Sequence, residues 1–201
     1  MLTDEEKQTV EYYDKHSLEW VEKHGNNKAA LPDMEKLFEL VSGGKILEIG
    51  VGSGKDAKLL INHFGINNYI GIEPALGLLR IAKKKNPKAK FINLSIYDID
   101  FPSGYFDSFW ISAMIIHIPK NKLVIVLKKI RKYIKKGSYG YFSVMEGNSD
   151  MEENRNGRYY SLWSQEEFEK DLKRGGFEVF RLRRLVPDTG SPWLGYIVKT
   201  S

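Results

Sequence analysis

The feature that most constrains the fold is an alternation of short apolar runs with helical segments beginning at residue 45. KILEIG (45–50), YIGIE (69–73), KFIN (90–93), SFWISA (108–113) and SYGYFSVM (138–145) read as strands. Between them, residues 55–64, 75–85 and the lysine-rich 120–136 carry apolar positions at helical spacing. Strands separated by helices of this length imply parallel crossovers, so the chain is expected to be α/β, with a doubly wound, mostly parallel, seven-stranded Rossmann-like sheet. FEVFRLRRL (177–185) and WLGYIVKT (193–200) follow each other without a helix and are predicted to close the sheet as an antiparallel hairpin. Ahead of the alternation, Thr3 and Glu6 form a capping box that opens a helix running to about Lys23. A second helix starts at Pro32-Asp33 and is stopped by Gly43-Gly44. A further capping box, Ser164 with Glu167, opens the helix that ends at Gly175-Gly176.

A chain of 201 residues, 42% of them hydrophobic and 28% charged, suits one globular domain. It divides into an N-terminal helical arm (1–44) and a Rossmann-like core (45–201) with a lid insert at 146–164. Phe109 to Ile116, the longest apolar run, is far shorter than the roughly 20 residues a membrane helix needs. The start, MLTDEEKQ, has neither a basic nor an apolar leader region, so a cytoplasmic location is expected. With no cysteine, thiolate chemistry is excluded, and the four histidines show no metal-ligand spacing, so no metal is expected. The net charge of +5 comes largely from KKKNPKAK (83–90) and the helix at 120–136. Right-handed crossovers place the helices at 75–85 and 120–136 on opposite faces, so their lysines cannot merge into one nucleic-acid surface. Nucleic acid and membrane are therefore unexpected partners, and a monomer or homodimer is expected.

Glu48-Ile49-Gly50-Val51-Gly52-Ser53-Gly54 ends the first strand and opens a helix. Gly50, Gly52 and Gly54 permit positive φ and close approach of a ligand to the backbone. Glu73, at the end of the second strand, is placed to accept both hydroxyls of a ribose. A dinucleotide fingerprint would need glycine where Lys55 stands, and the phosphate-loop spacing also fails. An acid two residues before the first glycine suits an ammonium better than a pyrophosphate. Carboxylate for amine, glycine turn for an amino-acid backbone and second carboxylate for ribose together describe S-adenosyl-L-methionine.

These motifs resemble those of the class I S-adenosylmethionine-dependent methyltransferases, in particular small enzymes similar to those of ubiquinone and menaquinone biosynthesis. KILEIGVGSGKDA looks like the family's first motif and GIEPALGLLRIAKKK like its second. The resemblance implies that Glu73 binds the ribose, that Leu78 touches the adenine, and that Pro74, Ile111 and Ser112 complete the donor site. Phe106-Asp107 and His117-Ile118-Pro119 stand in register with the fourth-strand motif, with Ile116 replacing the first of its paired histidines. Ser95-Ile96 takes the place of an acid and a small residue that read the adenine edge; the Ser95 hydroxyl and the next backbone N–H can serve it. In EYYDKHSLEW (11–20), Tyr13 and Trp20 match an arm that folds over the cofactor.

The implied reaction is in-line methyl transfer, in which the protein supplies alignment and desolvation. Tyr12 or Tyr13 could stabilise a sulfonium through its ring face. His117 and Tyr13 are the candidate catalytic residues, the imidazole as a general base. No [ND]-P-P-[YF] sequence follows strand four, where Ser112-Ala113-Met114-Ile115 stands, and little chain is left for a target-recognition domain. A small-molecule acceptor beneath the 146–164 insert, with Glu146, Arg155, Arg158, Tyr159, Tyr160 and Trp163, is the expected use. RNA or protein methylation, or a non-catalytic nucleotide-binding module, are the alternatives.

Overall fold

The computed structural model describes residues 1–25, 28–148, 152–186 and 191–201, with the backbone alone at 152–154. Part of the insert, residues 149–151, lies outside the described residues. Three helices, α1 (Asp4–Lys15), α2 (Ser17–His24) and α3 (Leu31–Leu40), precede β1 (Ile46–Ile49). Next come α4 (Ala57–Phe64), β2 (Tyr69–Ile72), α5 (Leu76–Lys85), β3 (Lys90–Ile92) and β4 (Phe106–Ile111). The second half comprises α6 (Lys120–Tyr133), β5 (Ile134–Met145), β6 (Glu152–Arg155), β7 (Arg158–Ser161), α7 (Gln165–Arg174), β8 (Phe177–Leu185) and β9 (Trp193–Thr200).

Seven strands form one sheet in the order β3-β2-β1-β4-β5-β9-β8. The pairs among β1 to β5 are parallel, and β9 is antiparallel to both β5 and β8, as the sequence led us to expect. All four residues of β1 are buried, which follows from helices covering both faces. On one face, Met34 and Leu37 of α3, Leu60 of α4 and Leu79 of α5 pack with Ile46, Trp110 and Tyr141. On the other, Leu123 and Leu127 of α6 and Phe168 and Leu172 of α7 pack with Leu47, Phe109 and Phe142. The lysines of α5 and α6 accordingly lie on opposite sides of the sheet.

Two expectations need correction. The first helix does not run to Lys23: it breaks at His16, whose φ of -108° and ψ of 22° leave the helical region. The His16 imidazole there hydrogen-bonds the Tyr12 carbonyl at 2.9 Å, competing for a helical acceptor. Secondly, α6 ends at Tyr133, not at Gly137; Ile134, buried and paired with Phe106, already belongs to β5, and so do Lys135 and Lys136. Sheet pairing overrides the helical continuation that the apolar spacing through Ile134 suggested. Within the 146–164 insert, β6 and β7 pair through a two-residue turn in which Asn156 (φ 53°) and Gly157 (φ 78°) are both left-handed. Asn-Gly is the strongest short-range signal for such a turn.

Candidate active site

The carboxyl ends of β1, β2 and β4 open into a cavity of about 780 Å³, within the range of small-molecule sites. Parallel strands converge their C-terminal ends on one edge, and the glycine turn keeps that edge open. Gly50, Gly52 and Gly54 all have positive φ (77°, 56° and 72°). At Gly50 a Cβ would stand 2.7 Å from the Met114 side chain, whereas at Gly52 it would project into open space. The turn is tied to β2, because Gly50 N and Val51 N both donate to the Ile72 carbonyl (3.0 and 3.2 Å).

Glu73 is buried, and its two carboxylate oxygens accept one backbone N–H each: Gly52 N at 2.8 Å and Ala75 N at 2.9 Å. Each oxygen retains a second lone pair toward the cavity that Glu73 lines. Burial pushes this carboxyl up to about 7 against the pull of those two amides. Asn93 fixes the following turn by donating to the carbonyls of Glu73 (2.9 Å) and Pro74 (2.8 Å). Glu48 also lines the cavity, but it is fully buried beside Asp56 and accepts a hydrogen bond from the Tyr69 hydroxyl. Burial first, then the Asp56 charge, raise its carboxyl well above the usual carboxylate range. Pro74, Leu78, Ser95, Ile96 and Ser112 reach the lining as expected. Ser95 donates its hydroxyl to Asp98, so a carboxylate stands directly behind it. Ile111 is not brought to the cavity; it is fully buried in the core.

The arm covers this space. Asp14 accepts from Gly77 N at 2.5 Å and so caps α5, while Tyr13 and Trp20 join the lining, their rings edge-to-face at 5.1 Å. Tyr13 Oη lies 3.0 Å from His117 Nε2, and His117 Nδ1 lies 2.7 Å from the Tyr159 carbonyl oxygen. A carbonyl only accepts, so Nδ1 carries the proton and Nε2 accepts the Tyr13 hydroxyl. Tyr159 N donates in turn to Thr9 Oγ1 at 2.8 Å. Arm, fourth-strand turn and hairpin are thus clasped together around His117.

Residues 46–137 match the family model described as a methyltransferase domain. The match spans 92 of the 201 residues and takes in the glycine turn and Glu73, but not the arm or the β6–β7 hairpin. The match is to the general domain, not to the quinone-biosynthesis branch in particular. No curated protein matches the chain by sequence. Among solved structures, the 1,6-didemethyltoxoflavin N1-methyltransferase of Burkholderia thailandensis, solved with 1,6-didemethyltoxoflavin and S-adenosylhomocysteine, is similar at TM-score 0.77. It is 14% identical, over 100% of this chain and 92% of that one. Magnesium protoporphyrin IX methyltransferase of Synechocystis PCC 6803, solved with S-adenosylmethionine, gives TM-score 0.75 and 12% identity over 100% and 99%. A (4+2)-cyclase also shares the architecture, at TM-score 0.71 and 14% identity over 86% of this chain and 81% of its own. Likeness at such identities establishes the α/β methyltransferase fold, and the cyclase illustrates that one fold hosts several chemistries.

The sequence reading placed Arg158 in the insert but missed its aromatic surroundings and two further features of the site. Arg158 sits among Tyr12, Trp20 and Tyr160, its guanidinium 4.7, 4.9 and 5.3 Å from their ring centroids. Asp33, Tyr141 and Arg183 form a buried polar group beside the cavity. Ala113, just past β4, holds a left-handed φ of 56° with its N–H donating to Ser143 Oγ at 2.8 Å. The Asn-Gly turn was the available signal for the first; nothing local in sequence announces the other two. Among the described residues no cluster of potential metal ligands occurs, and no helix is long and apolar enough to cross a membrane.

The clasp makes stability depend on pH. Burial first, and also the Arg158 charge, push the His117 imidazole from 6.5 down to about 4, with the Tyr159 carbonyl opposing. Between those values the unfolded chain binds the proton and the folded one does not, so stability falls as pH drops through that window. Urea unfolding at pH 7 and pH 5 should show a smaller acid loss in His117→Asn than in the parent. An identical loss would mean that His117 is not held neutral.

Proposed function

We propose that this chain is an S-adenosyl-L-methionine-dependent methyltransferase acting on a small-molecule acceptor. The observation that carries the reading is Glu73, a buried carboxylate bound to the glycine turn with unspent lone pairs facing the cavity. The site fits the donor's parts: Glu73 for the ribose hydroxyls, Gly50 and Gly52 for the amino-acid backbone, and Leu78 and Ile96 for the adenine faces, with Ser95 at its edge. Glu48, lined up with the turn, is the partner for the donor's ammonium, whose charge would draw its raised carboxyl back to the ionised form. When bound, S-adenosylmethionine supplies an electrophilic methyl on a sulfonium.

The residues of this chain have three tasks in such a reaction. The arm, with Tyr13 and Trp20, covers the cavity and excludes water, and the Tyr13 hydroxyl stays protonated because burial raises its pKa. Alignment in a closed site gains on the order of 7–11 kcal/mol for an in-line displacement. His117 and Tyr13 both line the cavity, and His117, engaged at both nitrogens, positions Tyr13 rather than serving as an open base. The domain is proposed as one unit, the arm and the 146–164 segment forming its cover. The lysine-bearing helices on opposite sheet faces give the RNA alternative no continuous surface.

Thermal unfolding with S-adenosylhomocysteine and with NAD tests this reading. At about 100 times its dissociation constant the former should add about 2.7 kcal/mol, which for a domain this size is roughly 5–10 °C in Tm, and NAD should add nothing. The S-adenosylhomocysteine complex should also weaken below neutrality. With its carboxyl at about 7, Glu73 must lose a proton before it can accept two hydroxyls, so affinity rises as pH passes from 6 to 8. A shift with NAD and none with S-adenosylhomocysteine would sink the proposal.

A further inference from the structure

Two arginines of the β6–β7 hairpin face the cavity. Arg155 and Arg158 both line it, and Arg158 is the partly buried one. Its guanidinium is ringed by aromatic faces, with Tyr13 a further one at 5.8 Å, and its Nε is buried with no hydrogen-bond partner. Face contacts contribute only about 0.5–2 kcal/mol, and they leave N–H donors unused.

The carboxylates that line the same cavity are engaged elsewhere. Glu6 pairs with Lys122 at 3.1 Å, and Asp56 with Lys55 at 3.2 Å. Glu48 is held by Tyr69, and Glu73 by the Gly52 and Ala75 amides. Arg183 is spent on Asp33 at 2.6 Å. Among the described residues, then, no carboxylate of the chain neutralises Arg158. A partly buried guanidinium whose Nε reaches neither water nor an anion is costly, and its planar fork matches an oxyanion with two parallel hydrogen bonds.

We infer that the methyl acceptor carries an oxyanion, a carboxylate or a phosphate-type group, and that Arg158 binds it through paired N–H donors at the hairpin end of the cavity. The aromatic faces around Arg158 hold the guanidinium plane in place before the acceptor arrives, so less side-chain freedom is lost on binding. Tyr160, which lines the same stretch of wall, gives such an acceptor an apolar surface to lie against. The inference rests on the methyl-transfer reading, because it assigns the acceptor end of that same cavity.

One experiment separates the two. Protein carrying isotope-labelled arginine is saturated with S-adenosylhomocysteine and titrated with benzoate, inorganic phosphate and benzamide while the Arg158 Nε–H resonance is followed. Saturable movement with at least one of the anions, and binding at least tenfold weaker for the neutral amide, is expected. Arg158→Met should abolish the preference and Arg158→Lys retain part of it, each with unchanged S-adenosylhomocysteine affinity. An equal response to all three probes, or none, overturns the oxyanion inference even if Arg158→Met does not fold, since the parent protein decides it. Benzoate without phosphate would identify a planar carboxylate, and the reverse a tetrahedral anion. Should S-adenosylhomocysteine itself fail to bind the parent, the methyl-transfer reading falls first.

Discussion

Glu73→Ala is expected to weaken S-adenosylhomocysteine binding at least tenfold at pH 8 while the protein stays folded. Two hydroxyls lose an ionised acceptor, and hydrogen bonds to charged groups contribute about 1.5–3 kcal/mol. The same carboxylate also braces Gly52 N and Ala75 N, so the turn loosens as the contact is lost. Glu73→Gln keeps an oxygen that can hold one of those amides but lacks the charge. Its affinity should fall between parent and alanine variant and should lose its dependence on pH around neutrality. Calorimetric affinities within threefold of the parent for both variants would reduce Glu73 to a brace for the turn.

The largest effect on stability is expected at Arg183, not at the catalytic edge. Its Nε donates to both oxygens of Asp33 (2.9 and 3.0 Å), a terminal nitrogen donates to Asp33 at 2.6 Å, and the Ala29 carbonyl accepts as well. Asp33 is only 1% exposed, so Arg183→Ala strands a carboxylate in the interior. Breaking such a pair costs about 3–5 kcal/mol, because the remaining charge has no water to turn to. Replacing both partners, Asp33→Leu with Arg183→Met, should recover most of the loss, since a buried pair and an apolar pair of similar size are often equal. Urea unfolding of the three variants checks this. A single-variant loss below about 1 kcal/mol would mean that water reaches Asp33.

The sheet, its order of helices and its C-terminal hairpin were legible because strand and helix leave different periods in the sequence. Glu73 and the glycine turn were legible too, since positive φ and a strand-end acid each leave a residue-type signature. His117 was legible as a position but not as a role: that its two nitrogens are both engaged depends on Tyr13, 104 residues away, and on the Tyr159 carbonyl, 42 away. The cage around Arg158 joins two helices of the arm to a hairpin, a proximity no local pattern encodes. Ile134 illustrates the opposite limit, where a local helical pattern was clear and pairing with Phe106 in the sheet overruled it.

The hydrogen bonds that hold the N-terminal arm in place are of very long range: Thr9 meets Tyr159 and Asp33 meets Arg183, each pair 150 residues apart. These contacts therefore cannot form until residues 159 and 183 have left the ribosome. The central parallel strands can assemble earlier, but contacts of such long range form late and slowly. A nascent chain would display a partly built sheet without a competent pocket, and supplying the small-molecule donor during synthesis would protect only the finished product. Ligand-assisted rescue of destabilised variants should accordingly act after translation, on completed chains that open and reclose.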